Sequence, residues 1–496
     1  MNRVTRREAL GEALLGAAAL SGAAGLLLAG CGSQAPGAST IHATWGDPVG
    51  DGLLRIQPGE RLIARTELSH AARPVAVLAS IAHLTDAHVL DASSPARVPF
   101  LDRLGAPLQS TFRPQEALTA QVLAGAAGAI RSLHPEVVIQ GGDLIDNAQS
   151  NELGQALAAL RGGVVQPGSG RRGYFGVQLA SNPDPFYYRP DVDAPRHPGL
   201  LRAASTRFRS PGVGARVLPV LGDHDALVAG EIVPTALTRA LAVGDRALWD
   251  LPPGLSLPPA ARAQALSSPD GPPDPGLVDR FLRQALAGPT VQVPADPRRR
   301  ELSFGEVTGR LGAAAGGRLD YVVDVGAHVR VIVLDLVRRG GGSGGLVTPA
   351  QAGWLRSQLA AAGERWVIVA THQPLTSSVG GEELLAVLDH SSRVIALLHG
   401  HTHRNQVVAR AGARGGYWVI GTASLIDYPQ QVRALRVLAT AGGGIAIQTW
   451  MLDHDLPGRL GGISRQLAYL DAQGGRPNEF AGGRADRNVT LYLPAR

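Results

Sequence analysis

At 496 residues and 45% hydrophobic content, the chain can bury either one large core with insertions or two modest ones. Its net charge of +6 rests on arginine alone, because the 47 basic residues include no lysine, and the charge is spread out except at Arg298-Arg299-Arg300. With aromatics at 4% and no basic stripe, nucleic acid is not expected as a stable partner. The single cysteine excludes a disulfide-stapled fold.

The N-terminus reads as an address. Arg6-Arg7 precedes an apolar stretch from Ala9 to Ala29 whose only charge is Glu12, and the stretch ends Leu28-Ala29-Gly30-Cys31. The arginine pair resembles a Tat export signal and the ending resembles a bacterial lipobox, so residues 1–31 are expected to be a lipoprotein signal, with the mature chain tethered through a lipidated Cys31 on the outer side of the cell membrane. An uncleaved anchor helix, or a signal cut elsewhere, are the alternatives for the same residues.

Residues 32–72, rich in Gly, Pro and Ser, read as a tether and lead-in. Val75 to Leu84 is an apolar run expected as a buried strand, ending at Thr85-Asp86-Ala87-His88. Ala117 to Leu133 has helical spacing closed by His134-Pro135. Val137 to Ile139 is a short strand ending at Gly142-Asp143-Leu144-Ile145-Asp146, and Asn151 to Leu160 suits a helix. Val217 to Leu221 is a third strand, delivering Gly222-Asp223-His224-Asp225.

Two stretches, about 163–214 and 226–316, break this rhythm and read as insertions that wall the site. The first holds Phe186-Tyr187-Tyr188-Arg189, with substrate contact and a packed insertion as equal alternatives; the second has weak helical pieces such as Gly276 to Ala287. Strands follow at Tyr321 to Val325 and Val329 to Leu336, turning at Gly326-Ala327. Gly340 to Gly345 reads as a loop, since no Lys-Ser/Thr follows it to make a phosphate cradle. Thr348-Pro349 opens a helix, Trp366 to Ala370 leads to Thr371-His372, and Val394 to Leu398 leads to Gly400-His401-Thr402-His403. Strands at 417–420, 432–439 and 445–451 complete the domain, taken as residues 73–455, and 456–496 reads as a C-terminal extension. Helices alternating with strands early, and strands clustering late, predict two packed mixed sheets flanked by helices.

Acidic and histidine-rich segments thus recur at strand ends in a fixed order. A phosphoester repels nucleophiles and its leaving oxygen gains charge; two divalent metals about 3.5–4 Å apart answer both problems by binding phosphate oxygens and acidifying a bridging water. Asp86, His88, Asp143, Asp223, His372, His401 and His403 supply oxygen and nitrogen ligands for such a pair. Each block alone has a plainer reading as a cap, turn or core contact, but their joint order does not. His83, His134, His390, His399 and His454 read as structural.

The blocks Asp86-x-His88, Gly142-Asp143-x-x-Asp146, Gly222-Asp223-His224-Asp225, His372 and Gly400-His401-x-His403 resemble the calcineurin-like metallophosphoesterase superfamily. Asn147-Ala148-Gln149, Asp184 to Pro190, Gly400 to Asn405 and Thr422 to Asp427 resemble, more narrowly, a group of exported actinobacterial members. The resemblance covers residues 75–455 except about 235–310. It implies a four-layer α/β/β/α sandwich with long insertions, two divalent ions (Mn, Fe or Zn) and hydrolysis of a phosphoester by a metal-bridging hydroxide. By position, Asp86, His88 and His403 hold one ion, Asp223, His372 and His401 the other, and Asp143 bridges. His224 becomes the acid that protonates the leaving group, Asp225 orients it, and Asp146 and Asn405 support the ligands. The family places Asn where Asp223 stands, which adds negative charge to the site. The rival readings are a non-catalytic metal-binding surface lipoprotein with the same fold, and a phosphodiesterase acting on nucleotides or lipid head groups.

Overall fold

The computed structural model describes residues 38–104, 111–268, 270–312, 317–473 and 479–496. The export and lipidation signals expected at Arg6-Arg7 and Cys31 lie outside them. Among the described residues, no helix is long and apolar enough to cross a membrane.

Two mixed sheets stack face to face. The seven-stranded sheet runs, in spatial order, Ile63–Arg65, Val489–Leu493, Ile445–Asp453, Gln431–Thr440, Pro74–Leu84, Val137–Gln140 and Arg216–Pro219. The six-stranded sheet runs Tyr321–Val325, Val329–Val333, Trp366–Ala370, Val394–His399, Tyr417–Gly421 and Gln406–Arg410. In each sheet the strands that carry the motifs are parallel: Pro74–Leu84 with Val137–Gln140 and Arg216–Pro219, and Trp366–Ala370 with Val394–His399. Their carboxyl ends therefore share one edge of the sandwich, where open α/β sheets place their ligands.

Strand periodicity builds the layers. On Pro74–Leu84, Ala79 and Ile81 enter the core between the sheets, with Ile139, Val331, Ile368 and Trp418, while Ala82 and Leu84 face the helices Thr119–Leu133 and Ser150–Arg161. Val367 and Val369 face the helices Pro349–Ala360 and Gly381–Asp389 on the opposite side. This is the expected α/β/β/α order. Thr348 caps its helix with Pro349 at the first helical position and Gln351 completing the box.

Boundaries differ where tertiary pairing decides them. The strand expected over 329–336 pairs only through Val333, because Asp335 turns the chain by accepting from the Leu319 and Val337 amides. The lead-in contributes Ile63–Arg65 and the C-terminal extension contributes Val489–Leu493, which pair with each other in parallel at the sheet edge. The segment 163–214 packs Tyr187 and Tyr188 with Phe112, Leu200 and Leu467 of the helix Arg459–Gln473. The Tyr187 hydroxyl donates to the Trp249 carbonyl, and Arg189 pairs with Asp193. Of the two alternatives for these aromatics, the packed one holds.

Candidate metal centre

The loops after the parallel strands interlock before any ligand is considered. The Asp86 amide donates to the Gly142 carbonyl and the His88 amide to the Asp143 carbonyl, each at 3.0 Å, and the His224 amide donates to Asp143 Oδ1 at 2.9 Å. The His401 amide donates to the Asp86 carboxylate at 3.1 Å and so ties the second sheet to the first. Gly222 is required by this closeness: a Cβ there would lie 2.2 Å from the Asp143 amide nitrogen and Oδ1. Non-glycine residues at positive φ are Asp86, His88, His134, Asp143, Ala148, Ala229, His401, His403 and Gln430. Five of these are expected ligands, and such backbone strain, about 1 kcal/mol or more per residue, gathers where the surroundings over-determine it.

All seven expected ligands converge. Asp86, His88 and His403 form one group whose donor atoms lie within 4.8 Å of one another; Asp143, Asp223, His372 and His401 form a second. Asp143 Oδ2 stands between them, 3.2 Å from His372 Nε2 and 3.6 Å from His88 Nε2. His88, Asp143 and His224 form a third overlapping group. Asp223 Oδ1 lies 3.1 Å from His372 Nε2 and 3.3 Å from His401 Nδ1.

The hydrogen bonds behind the imidazoles set their tautomers. His372 Nδ1 faces the Gly141 carbonyl at 2.8 Å, His88 Nδ1 faces Asp146 Oδ1 at 3.1 Å and His403 Nδ1 faces Asp427 Oδ2 at 2.6 Å. Those oxygens only accept, so each Nδ1 carries the hydrogen and each Nε2 lone pair points into the cage. The Nε2 atoms of His88 and His403 then face each other at 3.2 Å, and His372 Nε2 is buried without a hydrogen-bond partner between two carboxylates. Lone pairs meeting lone pairs and anions call for a cation between them. Four imidazole nitrogens with three carboxylates suit divalent Mn, Fe or Zn better than an all-oxygen ion.

The charges agree. Burial pushes the imidazoles toward neutrality, yet Asp143 lifts His372 well above the ordinary range, and Asp86 with Asp427 lifts His403 to about 9. Burial alone would raise the Asp86 and Asp223 carboxyls, but the adjacent imidazoles hold both below the usual range. Protons here stand in for missing positive charge.

The surroundings correct one expected role and add several residues. Asp225 does not orient His224: its Oδ1 accepts from the Leu144 and Ile145 amides and its Oδ2 from the Gly222 amide, so it clamps backbone. The His224 ring is held instead by Asp146, whose carbonyl accepts from Nδ1 at 2.9 Å, and it stands edge-on to His88 at 4.5 Å. Asn405 supports from further out, its Oδ1 accepting from the Ala423 amide and Arg433. Sequence reasoning passed over Asp427, although it closes the Thr422 to Asp427 segment, and Gln373, which donates to Asp223 Oδ1 at 3.0 Å. It also passed over Arg97 and Arg113, the buried partners of Asp146 and Asp427. His83 and His399 are buried on Thr422 Oγ1 and the Gly400 carbonyl, and His454 is buried as well, while His134 and His390 are exposed at helix ends; none joins the ligand groups.

Residues 304–405 match the family model described as calcineurin-like phosphoesterase. Among solved structures, the chain is similar to a dimetal phosphatase from Danio rerio at 13% identity, covering 76% of this chain and 97% of that one with a TM-score of 0.39. It is also similar to PhoD at 10% identity, covering 84% and 79% with a TM-score of 0.31. No curated protein matches the chain.

Proposed function

We propose that the protein hydrolyses phosphoesters at a dinuclear centre held by Asp86, His88 and His403 on one side and Asp223, His372 and His401 on the other, with Asp143 shared. The observation that carries this reading is the position of Asp143 Oδ2, within 3.6 Å of a ligand nitrogen from each group. Two divalent ions held there supply Lewis acidity toward phosphate oxygens and lower the pKa of a shared water.

The chain's own residues do the rest. Asp143, fixed by the His224 amide, and Asp86, fixed by the His401 amide, hold the phosphate-binding face rigid. His224 keeps Nε2 toward the cavity because its Nδ1–H is spent on the Asp146 carbonyl. Burial opposes its charge, while Asp143, Asp146 and Asp223 raise its pKa above the ordinary value, and the ring's place beside the ligand groups makes it the acid that gives a proton to the departing alkoxide. Asp223, where the family has Asn, keeps the ligand oxygen and adds charge, which favours metal over anion.

Turnover of aryl phosphomonoesters and diesters with added Mn²⁺ tests this. The wild type should be active and His224→Ala should lose about 10²–10⁴-fold in kcat with its metal content intact. Equal background in both proteins supports instead the non-catalytic metal-binding reading. From Arg6-Arg7 and the Leu-Ala-Gly-Cys31 ending we further infer export and lipid anchoring, which globomycin-sensitive processing in cells and loss of anchoring in Cys31→Ser check.

A further inference from the structure

The metal centre forms one end of a single cavity of about 510 Å³. Its other walls come from the segment 95–101 and from the insertion 226–316, and they are mostly apolar, with Phe100, Val228, Ile232, Leu248, Leu277 and Phe281 among them. The helix Pro275–Ala285, capped by Asp274, turns Phe281 and Ala285 inward onto Phe100 and Leu248. That volume suits an organic group of drug-like size.

The placement of the proton donor says which part of a substrate enters this space. His224 lies against the loop Val228 to Ile232, whose ends bond to each other. A Cβ on Gly230, at φ +73°, would stand 2.4 Å from the His224 ring, so that loop is pressed on the imidazole. The leaving group departs on the side of the acid, hence along the apolar wall. The cationic side chains at this end are already committed: Arg97 to Asp146 and Glu116, Arg113 to Asp427. Glu231, Asp270 and Asp274 are the acidic residues further along the cavity. A leaving group with further phosphates would meet repulsion there, and an alkyl chain would not.

We propose, resting on the phosphoesterase reading, that the substrate is a phosphoester of a long-chain aliphatic alcohol. The oxygen of a water molecule bonds to phosphorus, the P–O bond to the alcohol breaks, and the alkoxide takes the His224 proton. The water's proton restores His224, and phosphate and the free alcohol leave.

The metal-loaded protein is assayed with ethyl, butyl, octyl and dodecyl phosphate. The expected result is a kcat/KM that rises about three- to fourfold per methylene until the cavity is filled, with a flatter rise in Leu277→Gln and in Phe281→Ala. Octylphosphonate should also raise the melting temperature of the loaded protein more than methylphosphonate does, a readout that needs no turnover. No dependence on chain length, or preference for nucleoside monophosphates over dodecyl phosphate, overturns the proposal while leaving the phosphoesterase reading standing if p-nitrophenyl phosphate is cleaved. Failure to cleave any ester overturns that reading, and the phosphonate shifts then decide the apolar pocket alone.

Discussion

Asp427 accepts the Nδ1–H of His403 at 2.6 Å while Arg113 grips its other oxygen at 2.7 Å. The same chain of contacts recurs at His88, Asp146 and Arg97, and the two meet at Glu116, which accepts from Arg97 and from the Arg113 amide. Each carboxylate behind a ligand imidazole is therefore neutralised by a buried guanidinium, which keeps it deprotonated and aimed. An unpaired buried carboxylate would protonate instead.

Asp427→Asn should loosen His403 without emptying the second ligand group. The amide can still accept from Nδ1, but it loses the charge that fixes the tautomer, and Arg113 is left buried without its partner. Metal affinity at one site is expected to fall about 10–100-fold. Competitive metal titration, read as one weakened and one preserved binding step, checks it.

Metal binding should release protons. His403 is held up to about 9, so below that pH its ring carries a proton that an ion must displace. Apparent affinity should strengthen about tenfold per pH unit between 6 and 8 and level off above about 9. The same raised pKa stabilises the metal-free fold fully below the imidazole's unfolded value of about 6.5 and is lost as the pH climbs to about 9. Metal-free urea midpoints should fall across that window and loaded ones should hold steady.

Asp223→Asn should remove one negative charge from the ligand set. The Asn oxygen can still accept from Gln373 and ligate, so the fold is expected to survive. Metal affinity should drop, about tenfold, and inhibition by inorganic phosphate should tighten, because an anion no longer meets the extra carboxylate. Tighter metal binding in the variant would contradict this.

Asp225→Ala removes acceptors from three buried amides at once. The cost should be about 3 kcal/mol, as for other buried groups left unsatisfied. Asp225→Asn should recover much of it, since burial already raises this carboxyl to about 7 and the site tolerates a neutral side chain. Urea denaturation of the loaded proteins distinguishes this from a role in orienting His224, which would leave stability unchanged and lower kcat.

The layers were legible because runs such as Val137 to Ile139 and Trp366–Ala370 are short, apolar and followed closely by ligand blocks. Ligand residues were legible for the same reason: spacing in the chain maps onto one sheet edge. Asp427, Gln373, Arg97 and Arg113 were not, because their partners lie far along the chain and any buried carboxylate or guanidinium reads alike in sequence. Asp225 was misread for a related reason: adjacency to His224 suggested a side-chain contact, whereas a helical turn sends the carboxylate back to Gly222. The strand Val489–Leu493 was passed over within the C-terminal extension because its partners, Ile445–Asp453 and Ile63–Arg65, are settled only by pairing in the sheet. The apolar cavity was hidden because the Pro- and Gly-rich insertion that builds it gives no sign of what its helix Pro275–Ala285 packs against, namely Phe100 and Leu248.

Anomalous diffraction from crystals grown with Mn²⁺ tests the central claim most directly. Two peaks flanking Asp143 Oδ2, one within bonding reach of Asp86, His88 and His403 and the other of Asp223, His372 and His401, are expected. A single peak, or peaks elsewhere in the molecule, would contradict the account.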